Sequence, residues 1–429
     1  MFLGGIFRYK FGSIYYKQEL VIISFLFLGA FFLCTVNLGN LPFYDGREYF
    51  FAEITTEIYQ SFSNNLNWLF PHYTESFYGT KPPLMHILTA VAYDVWGFNE
   101  FATRIVGATL TALSVPLLYC LGRELFPIRF YALFAALVYL TTTPVIFYGR
   151  LAMFDGVRLC CEIFFFLSIL ISRRDLRWAL GVGISLSLIS LALGWDIAIL
   201  LGAIALIFLW WDTPRLLNSS YFWLGIMLGI IPAMLWYGGE YLHTREDNYP
   251  LIDMELPTLD TLYYSQYSIV NVLSKFSSWI VIGCFGFISA LKNKNYSWGK
   301  LCLIWFFLSL VITLFLNPSH NYISLVSLYI PMAIVSGYVL GEIVRQPPWI
   351  PYPKSWGYFF CILSFITLGI AIFYLLQFNH WHSSLFSILT SYFICFFTAF
   401  ILINKQNEYF IFILFWGKYI SLILLFNLH

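Results

Sequence analysis

Between Leu41 and Leu84 the chain gathers groups that could run a transfer reaction: Asp45, Arg47 and Glu48 in one short run, then Glu53, Glu57, His72, Glu75 and Lys81. A carboxylate can take a proton from an attacking hydroxyl, help typically worth roughly 10²–10⁴ in rate. A Lys or Arg can hold an anionic leaving group and stabilise the charge that develops on it. Further along, Arg150 precedes Asp155, His243 and Arg245 lie two apart, and His320 and Tyr322 stand ahead of another apolar run.

The elements that must carry these groups are membrane spans. Of 429 residues, 60% are hydrophobic, 21% aromatic and only 10% charged, the composition of an all-α polytopic membrane protein. No glycine loop for nucleotide phosphates, nuclease cluster or basic patch appears, so nucleic acid is excluded as a partner. The eight cysteines fall almost wholly inside apolar runs without the spacing of a disulfide framework or zinc ribbon, and read as packing residues. Arg8, Lys10 and Lys17 precede the first apolar run with no small-residue cleavage site after it, so that run reads as an uncleaved first span.

Runs near twenty apolar residues predict about 13 transmembrane helices: 19–37, 104–122, 129–147, 156–172, 177–193, 197–211, 221–238, 276–291, 300–316, 321–341, 357–377, 384–403 and 408–427. The run 84–97 is excluded. It is short, and His86, Thr89, Tyr93 and Gly97 recur at helical spacing, a polar stripe expected on a helix lying along the interface. With a cytoplasmic N-terminus, this choice puts fifteen of the 23 Lys and Arg at the inner face. Were 84–97 to cross, twelve of those fifteen would move outside. All seven histidines and fifteen of the 22 acidic residues also fall outside, which makes the external or periplasmic face the place to look for a site.

One transmembrane domain over 1–429 is expected, with large external loops at 38–103 and 239–275 and no C-terminal soluble domain. In the first loop, Phe50, Phe51, Ile54, Ile58 and Phe62 make one apolar side of an amphipathic helix, with Glu53 and Glu57 elsewhere. Pro82 and Pro83 suit the first turn of the helix that follows.

Each candidate has a structural alternative. Asp45 followed three residues later by Glu48 fits a capping box, Lys81 could snorkel, Arg150 could anchor at the interface, and Asp155 could cap the span behind it. His380 and His382 lie two apart, but no third metal ligand accompanies them.

An acidic residue followed closely by Arg and Tyr after the first span (Asp45, Arg47, Tyr49) opens a longer pattern. It continues with Trp68 to Pro71, Lys81-Pro-Pro-Leu84, Gly97 to Arg104, and Arg150 to Asp155. In this order the motifs resemble the bacterial membrane glycosyltransferases of the aminoarabinose transferase and protein mannosyltransferase superfamily. The resemblance is close over about residues 40–160 and weaker at Leu235-Trp-Tyr237 and Tyr322 to Pro331. It implies a C-type fold and an inverting glycosyltransferase. Such an enzyme moves a sugar from a polyprenyl-phosphate donor to a lipid, glycan or protein acceptor at the external membrane face, among membrane lipids. On that pattern Asp45 is the base and Asp155 the second acid, orienting the acceptor or binding a metal. Lys81, Arg150 and Arg245 would hold phosphate, with Arg47, Glu48, Arg104, His243, His320 and Tyr322 as further substrate-binding candidates. The pattern leaves the cofactor open, a divalent metal being compatible with it.

The chain departs from the aminoarabinose transferases where they carry a second acid after the first Asp and an Arg before the Tyr; here Gly46 and Glu48 stand there. Thr80 replaces a Glu ahead of Lys-Pro-Pro, and Gly194-Trp-Asp196 replaces a Lys-Gly pair. A non-enzymatic lipid or solute transporter is the competing class, although no internal repeat supports it. An oligosaccharide ligase or polymerase is the competing enzyme.

Overall fold

The computed structural model describes residues 2–43, 46–62, 69, 82–244, 279–315, 326–346, 351–352, 354–378 and 384–427. Among them there is no strand. The helices in chain order are α1 (Phe2–Thr35), α2 (Gly46–Ser61), α3 (Leu84–Trp96), α4 (Glu100–Leu125), α5 (Arg129–Leu140), α6 (Thr143–Gly149), α7 (Asp155–Ser172), α8 (Ala179–Leu193), α9 (Trp195–Asp212), α10 (Pro214–Leu217), α11 (Ser220–Thr244), α12 (Ile280–Lys292), α13 (Ser297–Phe315), α14 (Tyr329–Arg345), α15 (Lys354–Phe378), α16 (Ser384–Asn404) and α17 (Phe410–Asn427).

Nine described helices are long and apolar enough to cross a membrane, or ten if one bent pair counts as a span. The bent pair is α5 and α6, which meet at 59° where the sequence predicts a single span over 129–147. Pro144 sits in the first turn of α6. It lacks an N–H and its ring disfavours a continuous helix through the preceding turn. The Thr142 hydroxyl bonds back to the Val138 carbonyl, covering an acceptor that the break leaves over, while the Thr141 hydroxyl shares the Leu137 carbonyl with its own N–H.

The centre of the bundle is α4, with α1, α5 and α7 packed around it, and α14 against α5. α15 lies at the rim and exposes Phe365, Ile366, Phe373 and Leu376. Small residues set the closest approaches. α7 meets α4 where Gly156 faces Gly107, and α8 meets α11 where Gly183 faces Gly229. Without side chains, two helices can bring their backbones together, a common device in membrane bundles.

Most of the described ion pairs sit at the two ends. At one end the fully buried Glu19 pairs with Arg123 at 3.2 Å and Arg129 at 3.1 Å, and accepts from the Tyr119 hydroxyl. Next to Arg123, Glu124 pairs with Arg174 at 2.5 Å, and the neighbouring Arg173 shares Asp212 with Lys300, at 2.9 and 3.2 Å. At the other end the terminus of α1, the start of α4 and the α6–α7 turn come together around Glu48. All eight cysteines are free, six of them buried.

The two short amphipathic helices divide differently from each other. α2 buries Phe51, Ile54 and Ile58, the side that the spacing selects: Ile54 and Ile58 pack with Ala90 and Ile87 of α3, and Phe51 stacks on His86. On α3 the polar stripe is buried: His86, Thr89 and Tyr93 face the protein while Leu88, Val91, Val95 and Trp96 are exposed. The stripe finds partners inside. His86 Nδ1 lies 3.0 Å from Thr55 Oγ1, and the Tyr93 hydroxyl 3.0 Å from Thr103 Oγ1. Buried polar groups are tolerated when so bonded, which a period count alone does not reveal.

Candidate functional site

The Glu48 end is built on Arg104, in the second turn of α4, only 3% exposed. A guanidinium has five N–H groups, and here all five are committed. Nε and Nη2 donate to the two Glu48 carboxylate oxygens at 2.7 and 2.8 Å. Nη1 donates to the carbonyls of Leu38 and Leu41 at 3.0 and 2.7 Å, and Nη2 to that of Pro42 at 2.8 Å. Arg104 therefore has no donor left for a substrate. Glu48 is fully buried, and its Oε1 also accepts the backbone N–H of Ala152 at 2.8 Å. The sequence-based expectation that these two side chains touch substrate meets a pair enclosed in protein.

Asp155 begins α7 as its first residue, behind Phe154 at the N-cap, so it is not the cap that the sequence allows. Its carboxylate stands in the first turn, where the helix dipole favours negative charge. Gly156 seats this turn on α4: a Cβ there would lie 2.5 Å from the Gly107 carbonyl oxygen. Thr111 reinforces the crossing by donating to the Gly149 carbonyl at 2.7 Å. Arg104 lies one turn before Gly107 on the same helix, so the acid of α7 is fixed relative to the Arg104 cluster.

Arg150 closes the other side. It is 4% exposed, and its Nη2 donates to the Val36 carbonyl at 2.6 Å. Its guanidinium lies 4.1 Å above the Phe426 ring, tying the ends of α1 and α17 together. Nη1 is buried without a hydrogen-bond partner, and no described carboxylate pairs with this cation. Burial lowers its pKa to about 10, so the group stays charged at neutral pH. A buried cation with a spare N–H is suited to an anion.

Two residues outside the sequence candidates, Arg158 and Glu162, lie one and two turns deeper on α7. Arg158 Nε donates to Ser327 Oγ at 3.1 Å, and Ser327 donates to Glu162 Oε2 at 2.6 Å. Trp305 Nε1 completes the set, donating to Glu162 Oε1 at 2.9 Å. The signal was present: an Arg and a Glu four apart on an otherwise apolar helix mark a buried, paired site.

A pocket of about 470 Å³ opens between α2 and the start of α4, with Phe43, Tyr49, Glu53, Glu57, Phe98 and Glu100 among its walls. Among the described residues no group of His, Cys, Asp and Glu could hold a metal. Asp45, Lys81, Arg245, His320 and Tyr322 lie outside the described residues, as do His380 and His382. Arg47 and His243 are within α2 and α11, but their side chains are outside what is described. Of the sequence candidates, then, the structure brings together Glu48, Arg104, Arg150 and Asp155.

Residues 80–237 match the family described as dolichyl-phosphate-mannose-protein mannosyltransferase. The undecaprenyl phosphate-alpha-4-amino-4-deoxy-L-arabinose arabinosyl transferase of Erwinia tasmaniensis is 32% identical over 140 residues, 33% of this chain and 24% of that protein. Transferase 1 of the same description from Pseudomonas fluorescens is 26% identical over 239 residues, 54% of this chain and 41% of its own length. The matched stretches thus span well under half of these relatives. The crystal structure of ArnT from Cupriavidus metallidurans bound to undecaprenyl phosphate superposes with a TM-score of 0.71 at 16% identity, covering 96% of this chain and 77% of that one. Its apo form gives 0.67 at 14% identity, covering 97% and 78%. The fold is shared along nearly the whole chain, while the family match covers residues 80–237, which include Arg104, Arg150 and Asp155.

Proposed function

We propose that this chain, with the fold of the aminoarabinose transferases, is an inverting glycosyltransferase that uses a polyprenyl-phosphate-linked sugar. The observation that carries the reading is the meeting of the Asp155 turn and the buried cation Arg150, whose Nη1 has no hydrogen-bond partner, at one end of a bundle whose solved counterpart holds undecaprenyl phosphate. In the reaction, an acceptor hydroxyl attacks the anomeric carbon as the bond from that carbon to the phosphate oxygen breaks. Asp45 takes the hydroxyl proton, and the polyprenyl phosphate leaves as an anion held by Lys81, Arg150 and Arg245. Asp155 orients the acceptor, which is a lipid, glycan or protein. The lipid-linked donor brings its phosphate to headgroup depth, so the reacting groups belong at the rim of the bundle.

The topology that goes with this reading has thirteen crossings, a cytoplasmic N-terminus and the Glu48 end on the external side. It counts α7 as a span despite Asp155, Arg158 and Glu162, and counts the shorter α12 and α13. The abundance of Arg and Lys at the opposite end supports the orientation. Single cysteines at Ser76 and Arg177 in a cysteine-free background test it. An impermeant thiol reagent is expected to label the first and spare the second in intact cells, and the reverse pattern refutes the topology.

The function is tested by transfer in membranes from radiolabelled polyprenyl-phosphate sugars, comparing the parent with Asp45→Asn and Lys81→Ala. Asp45→Asn is expected to fold and bind donor yet transfer nothing. Normal turnover by that variant removes Asp45 from the mechanism.

A further inference from the structure

We infer that Glu48 and Arg104 are positioning residues that hold the chain on both sides of position 45 to the turn that leads into Asp155, so that the two acid-bearing segments share one frame. The meaning of that frame for catalysis rests on the transferase reading; the frame itself does not.

Three observations lead here. First, the run between α1 and α2 has few backbone partners of its own, and Arg104 supplies three of them, at Leu38, Leu41 and Pro42. Carbonyl groups withdrawn from water need donors, and a planar fork of five N–H groups serves three of them and a carboxylate at once, more than the three donors of a Lys ammonium can. Second, Glu48 anchors the chain again three residues past position 45. The same guanidinium therefore grips the segment before Asp45 and the segment after it. Third, Glu48 Oε1 is shared: it takes Arg104 Nε at 2.7 Å and the Ala152 N–H at 2.8 Å. Ala152 lies between Arg150 and Asp155, so one carboxylate oxygen joins α2, α4 and the turn that carries both of those residues.

Substrate contact is a poor account of this pair, because Glu48 is 0% and Arg104 3% exposed and every Arg104 N–H is used. Stability alone is a poor account too. Buried ion pairs replaced by well-packed apolar groups are often neutral or stabilising. What a bidentate, fully bonded pair supplies that an apolar contact does not is direction: the N–H···O geometry fixes where three segments sit relative to one another. Misplacement by about 1 Å at a reacting centre costs on the order of 10²-fold in rate.

The test combines a distance and a rate. Nitroxide labels at Asn40→Cys and Met153→Cys, in a cysteine-free background, report by pulsed electron paramagnetic resonance how the α1–α2 run sits against the α6–α7 turn. The parent is expected to give one narrow distance, and both Glu48→Gln and Arg104→Lys a broadened one. In unlabelled membranes the same two substitutions are expected to lower kcat by about 10²-fold while leaving donor KM within a few fold, and the double variant is expected to be no worse than the poorer single one. An unchanged, narrow distance in both variants overturns the inference. So does a rise in donor KM confined to Glu48→Gln with Arg104→Lys silent, which would make Glu48 a donor contact. A fall in melting temperature with kcat per folded molecule intact would make the pair merely structural and also overturns it. Should Glu48→Gln fail to fold, Arg104→Lys carries both readouts. If the parent transfers no sugar, the transferase reading falls, and the label distances still decide the tether.

Discussion

Replacing Gly156 by Ala should damage this protein far more than one methyl ordinarily does. The added Cβ would lie 2.5 Å from the Gly107 carbonyl oxygen, 2.8 Å from Thr111 Oγ1 and 3.0 Å from the Gly107 carbonyl carbon. Two of those three atoms are backbone, so no rotamer change relieves the clash. To reach ordinary contact, α7 must move away from α4 by close to 1 Å. Overpacking of this kind typically costs about 1–3 kcal/mol, and the shift falls one turn from Arg104 and next to Asp155. We expect Gly156→Ala to lower the apparent melting temperature in detergent and to reduce kcat by up to about 10²-fold, with donor KM less affected. Gly107→Ala is the internal comparison. Its Cβ would meet the Leu151 carbonyl oxygen at 3.0 Å and that of Gly149 at 3.4 Å, which a few tenths of an ångström relieve. The expected order is therefore parent, then Gly107→Ala, then Gly156→Ala, in both melting temperature and turnover. Parity between Gly156→Ala and the parent in both measurements would refute the claim that this crossing sets the position of the acid.

Arg150→Met separates anion holding from packing. It loses the bond to Val36 and the contact with the Phe426 ring but also removes a buried charge and an unpartnered N–H, so the melting temperature is expected to change by the equivalent of about 1 kcal/mol or less. Turnover is expected to fall by about 10–100-fold, and full activity in this variant would remove Arg150 from phosphate binding. Glu162→Gln should be strongly destabilising, by about 3–5 kcal/mol, because it leaves the buried Arg158 without its counter-charge. The double variant Arg158→Met, Glu162→Met is expected to recover most of that loss in thermal unfolding. No recovery would show that the two side chains are not coupled.

The membrane character, most helix positions and the inward face of α2 were legible in the sequence, because they follow from apolar run length and from a 3.6-residue period. Phe51, Ile54 and Ile58 are buried as that period requires. The same arithmetic misled on α3. A polar stripe seeks partners, and His86 and Tyr93 find them in Thr55 of α2 and Thr103 of α4 rather than in water. It also ran one span through the α5–α6 break, where Pro144 and two threonines change direction inside an apolar run. The site divides likewise. Residue types and order singled out Glu48, Arg104, Arg150 and Asp155, but not what each one does there.

By itself the sequence determined which segments are apolar enough to cross a membrane and which groups are too polar to lie in one without a reason, since both are local properties of residue type and spacing. Only the tertiary structure decided that Arg104 gives every N–H to protein and that Arg150 keeps its Nη1 unspent. Those outcomes depend on partners 56 residues away at Glu48 and 114 residues away at Val36, and whether a donor is spent or free is settled by what the packed helices bring beside it.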